Sequence, residues 1–104
     1  MDANAGPWFV YLARCSDGTL YCGIARDVAE RIAQHDAGKG ARYTRGRGPL
    51  SVEAVRRCKT KGDALRLERA VKKLPRVKKE ELARARRFAA LQRAVETRAT
   101  GRER

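Results

Sequence analysis

Acidic side chains are in short supply in this 104-residue chain, with 12 Asp and Glu against 25 Lys and Arg, a formal charge of +13. Such an imbalance disfavours cationic partners and calls for an acidic one, of which nucleic acid is the commonest. The excess is not confined to a tail. Residues 1–75 carry 15 basic and 8 acidic side chains, net +7, and residues 76–104 carry 10 and 4, net +6. Cysteine is also sparse and odd in number: Cys15, Cys22 and Cys58 show no C-x-x-C spacing, which argues against a zinc site and against a closed disulfide framework. They read as reduced, small hydrophobes in strands. No apolar run of membrane length and no charged-then-apolar leader is seen, so a reducing cytoplasm is the expected compartment. The basic residues are not sorted against a continuous apolar face, which disfavours a membrane-surface role.

What is present is organised around one ribbon. Phe9-Val10-Tyr11-Leu12-Ala13 and Leu20-Tyr21-Cys22-Gly23 flank Ser16-Asp17-Gly18, and Asp-Gly between such runs signals a hairpin. A three-residue loop with Gly18 in the left-handed region pairs Cys15 with Thr19. Tyr11 then faces Gly23, Tyr21 faces Ala13, and both phenols share one side of the ribbon. A loop of two or four residues sends them to opposite sides. Beside the phenols, Gly23 would leave a notch where a substrate could approach the backbone.

Pro7 and Trp8 lead into the ribbon, and Met1–Gly6 is expected to fray. Asp27 with Glu30 caps a helix expected over residues 28–37, ended by Gly38 in the left-handed conformation. Its apolar stripe would be Val28, Ala29, Ile32 and Ala33, with Arg31 and His35 at the edge, held by packing yet reachable. The plain alternative makes Arg31 a solvated cation and His35 a satisfied, partly buried imidazole. Gly38 to Pro49 reads as a loop whose glycines leave amides accessible. There Lys39, Arg42, Arg45 and Arg47 suit phosphate oxygens, and Tyr43 suits stacking on an unpaired base or sugar. A third strand is expected over residues 50–58, with Val52, Ala54 and Val55 as its apolar content. Thr60 and Asp63 would cap a helix over residues 61–74 that buries Ala64, Leu67, Ala70, Val71 and Leu74, and Pro75 stops it. Glu68 borders that face, and its plain reading is a carboxylate paired with Lys72 one turn on. Residues 77–95 suggest one more helix or a broken pair in which Phe88 and Leu91 pack on the domain. The fold class is α/β of the α+β type, a small three-stranded antiparallel sheet flanked by helices. One domain spans residues 7–95, between a disordered start (1–6) and a basic flexible tail (96–104).

The ordered set Tyr11, Tyr21-Cys22-Gly23, Arg31-x-x-x-His35, Gly38-Lys39-Gly40-Ala41-Arg42-Tyr43-Thr44 and Glu68 resembles the GIY-YIG nuclease family over roughly residues 8–75. In size and wording it is most similar to the small stand-alone bacterial members, the YhbQ-like branch. The resemblance implies a metal-dependent endonuclease that hydrolyses DNA phosphodiester bonds with low sequence specificity, selecting by nucleic-acid structure, with a link to repair or recombination. It implies catalytic roles for Tyr11, Tyr21, Arg31, His35 and Glu68, with Glu68 holding one divalent ion, Mg²⁺ with Mn²⁺ as a substitute. Tyr21 would take the proton of the attacking water, Tyr11 would orient water or phosphate, and His35 would share the proton or replace Tyr21. The cations Arg31 and Lys39 and the metal are expected to favour phenolate. Gly23, Lys39, Gly40, Arg42, Tyr43 and Arg45 are assigned to substrate binding, with no small-molecule cofactor. Several family members place an Asn beyond the metal-binding Glu, whereas the sole asparagine here is Asn4. The alternative reading is therefore a nucleic-acid-binding protein of the same fold with little or no catalysis. A third is a basic accessory protein of a ribosome or repair complex. A protein partner could supply targeting, since no second module is read in the chain.

Overall fold

A computed structural model describes residues 6–85. The expected ends at 1–6 and 96–104, and the packing expected of Phe88 and Leu91, lie almost wholly outside the described residues. In chain order the elements are β1 (Trp8–Arg14), β2 (Leu20–Ala25), α1 (Val28–Asp36), a single 3₁₀ turn (Arg42–Thr44), β3 (Ser51–Cys58), α2 (Lys61–Lys72) and α3 (Arg76–Ala85). The strands form one antiparallel sheet in the order β2-β1-β3.

β1 is central, and Val10, Tyr11, Leu12 and Ala13 are all buried because helices cover both faces. On one face Val10, Leu12, Cys22, Ala54 and Cys58 meet Ala64, Leu67 and Val71 of α2 and Ala83 of α3. On the other, Tyr11, Ala13, Cys15 and Ala25 gather with Leu50 and, around them, Tyr21, Val28, Ile32 and Val52. The result is a sheet between α1 on one side and α2 and α3 on the other, an α+β arrangement. All three cysteines are buried and free; Cys22 and Cys58 lie in strands and Cys15 just beyond β1.

Three details differ from the sequence expectations. Ala29 and Ala33 are exposed, and α1 presents Val28, Ile32 and His35 to the sheet, with Arg31 half-buried between them. The helix is turned so that the imidazole occupies the interface, which is tolerable because both ring nitrogens find partners there. Val55 is 40 % exposed, on the part of the Tyr11 face that α1 does not reach. α2 ends at Lys72 and α3 follows at once, since the Pro75 carbonyl accepts from Lys78 and Lys79 N–H at 3.0 and 3.2 Å. Pro75 thus starts a helix as well as ending one.

Arg14 joins four parts of the fold. Its guanidinium donates to Glu53 of β3 at 2.8 and 3.1 Å, to Glu80 of α3 at 2.7 and 2.8 Å, and to the Gly18 carbonyl in the hairpin turn at 3.1 Å. The same contacts hold the Glu80 carboxyl below its ordinary range. Arg14→Met leaves two carboxylates facing each other, and charge-assisted bonds of this kind carry about 1–3 kcal/mol. We expect a lowered melting temperature, partly restored by adding Glu80→Gln; an unchanged melting temperature would show that α3 is docked by its apolar face alone.

Candidate active site

The hairpin closes with a three-residue loop: Cys15 N–H donates to Thr19 O at 2.8 Å, Gly18 N–H to Cys15 O at 3.0 Å, and Gly18 has φ of +89°. Asp17 Oδ1 accepts from both the Thr19 N–H and the Thr19 hydroxyl, which fixes the turn. The register is therefore Tyr11 opposite Gly23 and Tyr21 opposite Ala13, with the rings on one face, 6.3 Å apart and tilted by 51°. The notch expected above Gly23 is filled by the protein itself. A Cβ there would stand 2.6 Å from the Tyr11 hydroxyl oxygen, so the missing side chain admits the phenol.

α1 brings the next group. Asp27 caps it by accepting from Glu30 N–H at 3.0 Å, and two turns on His35 points into the sheet, almost wholly buried. Its Nε2 lies 2.9 Å from the Tyr11 hydroxyl and its Nδ1 lies 2.7 Å from the Thr44 hydroxyl. The Tyr21 ring meets the imidazole edge-on at 5.1 Å. Arg31, one turn earlier, donates to Gln34 at 2.8 Å, and its charge acts on Tyr11, Tyr21 and His35.

The loop that follows is more ordered than its composition suggests. Arg42–Thr44 forms the 3₁₀ turn that delivers the buried Thr44 to His35. Gly40 lies against the imidazole, where a Cβ would fall 2.1 Å from Nδ1 and 2.8 Å from the His35 Cα. Lys39, Arg42 and Arg45 are exposed. Tyr43, 46 % exposed, stacks on Tyr21 with centroids 5.8 Å apart, and the Arg47 guanidinium sits 4.5 Å from the Tyr43 centroid while pairing with Asp17 at 3.0 Å.

Glu68 approaches from α2. Its side chain is 17 % exposed and pairs with Lys72 at 3.3 Å, as the plain reading of the sequence has it. Lys72 Nζ in turn lies 5.9 Å from the centre of the Tyr21 ring, and the Glu68 charge acts on Tyr21 and on Cys22. The Glu68 charge is thus felt on β2, at Tyr21 and Cys22, and is not among the causes acting on Tyr11 or His35. Among the described residues no three His, Cys, Asp or Glu side chains cluster as a ready-made metal cage. A single carboxylate completed by water and substrate phosphate is a donor set that suits Mg²⁺. Glu68 fits it, provided Lys72 yields.

Burial governs ionisation here. The Tyr11 phenol is pushed well above its ordinary value by burial and by the neighbouring Tyr21, against the pull of Arg31. Tyr21 is also raised by burial, with Lys72 and Arg31 opposing and Glu68 adding to the rise. The pull toward phenolate comes from Arg31 at both phenols and from Lys72 at Tyr21 rather than from Lys39, and desolvation outweighs it. Cys22 is pushed up to about 12 by burial and Glu68, an unreactive thiol. His35 is lowered from 6.5, by burial first and then by Arg31, so it is neutral at pH 7.

That last shift has a consequence for stability. The unfolded imidazole binds a proton below about pH 6.5, whereas the folded one resists it, so stability is complete above that pH and declines as pH falls toward the lower folded value. Thermal melting of wild type should show this decline just below pH 6.5, and His35→Gln should flatten it. A decline of equal size in the variant would assign it to other groups.

Two side chains to which the sequence assigns no role in the site, Thr44 and Lys72, contact it in the structure. A His held in the core needs a partner on each nitrogen, which is a signal for Thr44 only once the burial of His35 is known.

The fold and site together define a basic α+β domain in which two hairpin phenols meet an imidazole from the next helix. The chain belongs to the GIY-YIG family: the GIY-YIG catalytic domain matches residues 7–81. A UPF0213 protein of Nitratidesulfovibrio vulgaris is 48 % identical over 68 residues, covering 65 % of this chain and 62 % of that one. A UPF0213 protein of Vibrio cholerae is 49 % identical over 77 residues, 73 % of this chain and 76 % of the relative. The solution NMR structure of the UPF0213 protein BH0048 from Bacillus halodurans superposes with a TM-score of 0.50 at 46 % identity, covering 76 % of this chain and 84 % of that one. Family membership supports a nuclease-type function and nucleic-acid binding in general. No helix among the described residues is long and apolar enough to cross a membrane.

Proposed function

We propose that this protein is a metal-dependent endonuclease that cleaves DNA with low sequence specificity, selecting its substrate by structure, in the cytoplasm and in the service of repair or recombination. The observation that carries this reading is the hydrogen bond between the Tyr11 hydroxyl and His35 Nε2 at 2.9 Å, beside a basic loop. Both phenols keep their protons at neutral pH, so a phenol serves as a base only if it can pass its own proton on. Tyr11 has a neutral imidazole to receive it. We therefore assign proton acceptance to the Tyr11–His35 pair in place of Tyr21: the water proton goes to the Tyr11 oxygen as the Tyr11 proton moves to Nε2.

Tyr21, half-buried beside both, orients the water. Arg31 binds a nonbridging phosphate oxygen with its planar fork, while Lys39, Arg42 and Arg45 hold flanking phosphates. Gly23 and Gly40 serve the site indirectly, by making room for Tyr11 and His35. Tyr11 has no solvent exposure, so access requires the Tyr43 stack on Tyr21 to open as nucleic acid binds. Glu68 would hold Mg²⁺ or Mn²⁺, which when bound neutralises phosphate charge and stabilises the leaving oxygen.

Purified protein with Mg²⁺ or Mn²⁺ should nick branched or single-stranded DNA faster than plain duplex, and Tyr11→Phe should remove the activity. An undiminished rate in Tyr11→Phe would contradict the proton assignment. The engagement of Glu68 by Lys72 favours a second reading, nucleic-acid binding without catalysis. It predicts binding that weakens steeply with salt, survives EDTA and yields no cleaved product.

A further inference from the structure

Thr44 lies outside the catalytic set, yet it sits at the end of the only polar path leading from His35 away from Tyr11 among the described hydrogen bonds. Its hydroxyl is 2.7 Å from His35 Nδ1 and 2.8 Å from the Ala41 carbonyl oxygen. Two oxygens at the latter distance require a proton between them, and a carbonyl has none to give. The single hydroxyl proton of Thr44 is therefore committed to Ala41, whose carbonyl also accepts the Thr44 N–H at 3.0 Å. At the other contact the Thr44 oxygen can only accept, so Nδ1 must carry the imidazole proton. Nε2 is then bare, and the Tyr11 hydroxyl must be the donor in the 2.9 Å bond.

We propose that Thr44 is a positioning residue that fixes the tautomer of His35, and through it the direction in which the Tyr11 proton points. One backbone carbonyl thus sets the polarity of three successive hydrogen bonds: Tyr11 to His35, His35 to Thr44, Thr44 to Ala41. The opposite tautomer would place a proton on Nε2, make Tyr11 the acceptor and leave no base to receive its proton. The same assignment explains why the 3₁₀ turn is placed as it is, since it brings the Ala41 carbonyl and the Thr44 hydroxyl together over Nδ1. The catalytic consequence rests on the nuclease reading; the tautomer does not.

His35 is the sole histidine of the chain, so its two ring nitrogens give unambiguous signals in a ¹⁵N-labelled sample. At a pH where the ring is neutral, long-range ¹H–¹⁵N correlation spectra of the wild-type protein should show a protonated Nδ1 and a bare Nε2. Thr44→Val, close in shape but unable to accept, should shift the population toward Nε2–H, and Thr44→Ser should restore the wild-type pattern. A wild-type ring protonated at Nε2, or a folded Thr44→Val with Nδ1 still protonated as before, would overturn the proposal. Should Thr44→Val fail to fold, the wild-type spectrum decides alone. If the wild type cleaves DNA, Thr44→Val should lower kcat by about 10²-fold at unchanged DNA affinity, the size of a general-base contribution. Failure of the nuclease reading would remove this last arm and leave the spectra standing.

Discussion

Gly40→Ala should unseat His35 and cost the protein about 1–3 kcal/mol, the usual penalty for forcing a carbon into a filled space. The added Cβ would lie 2.1 Å from His35 Nδ1 and 2.6 Å from Cγ, so the ring would have to rotate out of the interface. Rotation does not suffice, because the His35 Cα is only 2.8 Å away and the loop backbone must also move. Both hydrogen bonds of the imidazole would be lost together, and with them the Tyr11–His35 pair. Gly62→Ala is the matched control: in the first turn of α2 its nearest neighbours would be 3.7 and 3.8 Å away, and the substitution should be neutral or stabilising by up to about 1 kcal/mol. Denaturant melts of the two variants should therefore move in opposite directions or leave only Gly40→Ala displaced. Equal stability for Gly40→Ala and wild type would mean that the loop does not press on the imidazole.

Glu68→Gln should separate activity from stability. The pair it forms with Lys72 is partly exposed at the lysine end and makes only a small contribution, of the order of 0.5 kcal/mol. The variant should melt within a few degrees of wild type. DNA affinity should be unchanged or slightly higher, because one negative charge has gone from a basic surface. Cleavage, by contrast, should fall by about 10²–10³-fold or more, the scale on which a group stabilising transition-state charge is felt. Cleavage at the wild-type rate would return Glu68 to the role of a surface ion-pair partner.

These two expectations differ in how far the sequence foreshadows them. The side-sharing of Tyr11 and Tyr21 follows once the loop length is known: the sequence offers loops of two, three or four residues around Asp17-Gly18, the Cys15–Thr19 closure selects three, and the side-chain period of a strand does the rest. The caps at Asp27 and Thr60 are equally local, each side chain accepting from an N–H three residues on. The phase of α1 is not local. Ala29 and Ala33 look more apolar than His35, and nothing in the helix itself shows that Tyr11 and Thr44 wait to satisfy the imidazole. Gly23 and Gly40 read as openings for a ligand because glycine leaves space; only the tertiary structure shows that Tyr11 and His35 have taken it. The ionisation of the phenols is hidden from the sequence for a related reason. Charge can be counted along a sequence, whereas desolvation depends on what packs around the group.

The reading as a whole depends on Glu68 and the tyrosine–histidine cluster serving one phosphate. Paramagnetic Mn²⁺ tests this without requiring turnover. With a short phosphorothioate single strand bound to the full chain, Mn²⁺ should broaden the ring resonances of Tyr21 and His35, and Glu68→Gln should abolish that broadening. Broadening confined to other residues, or persisting unchanged in Glu68→Gln, would place the metal elsewhere and contradict a shared site.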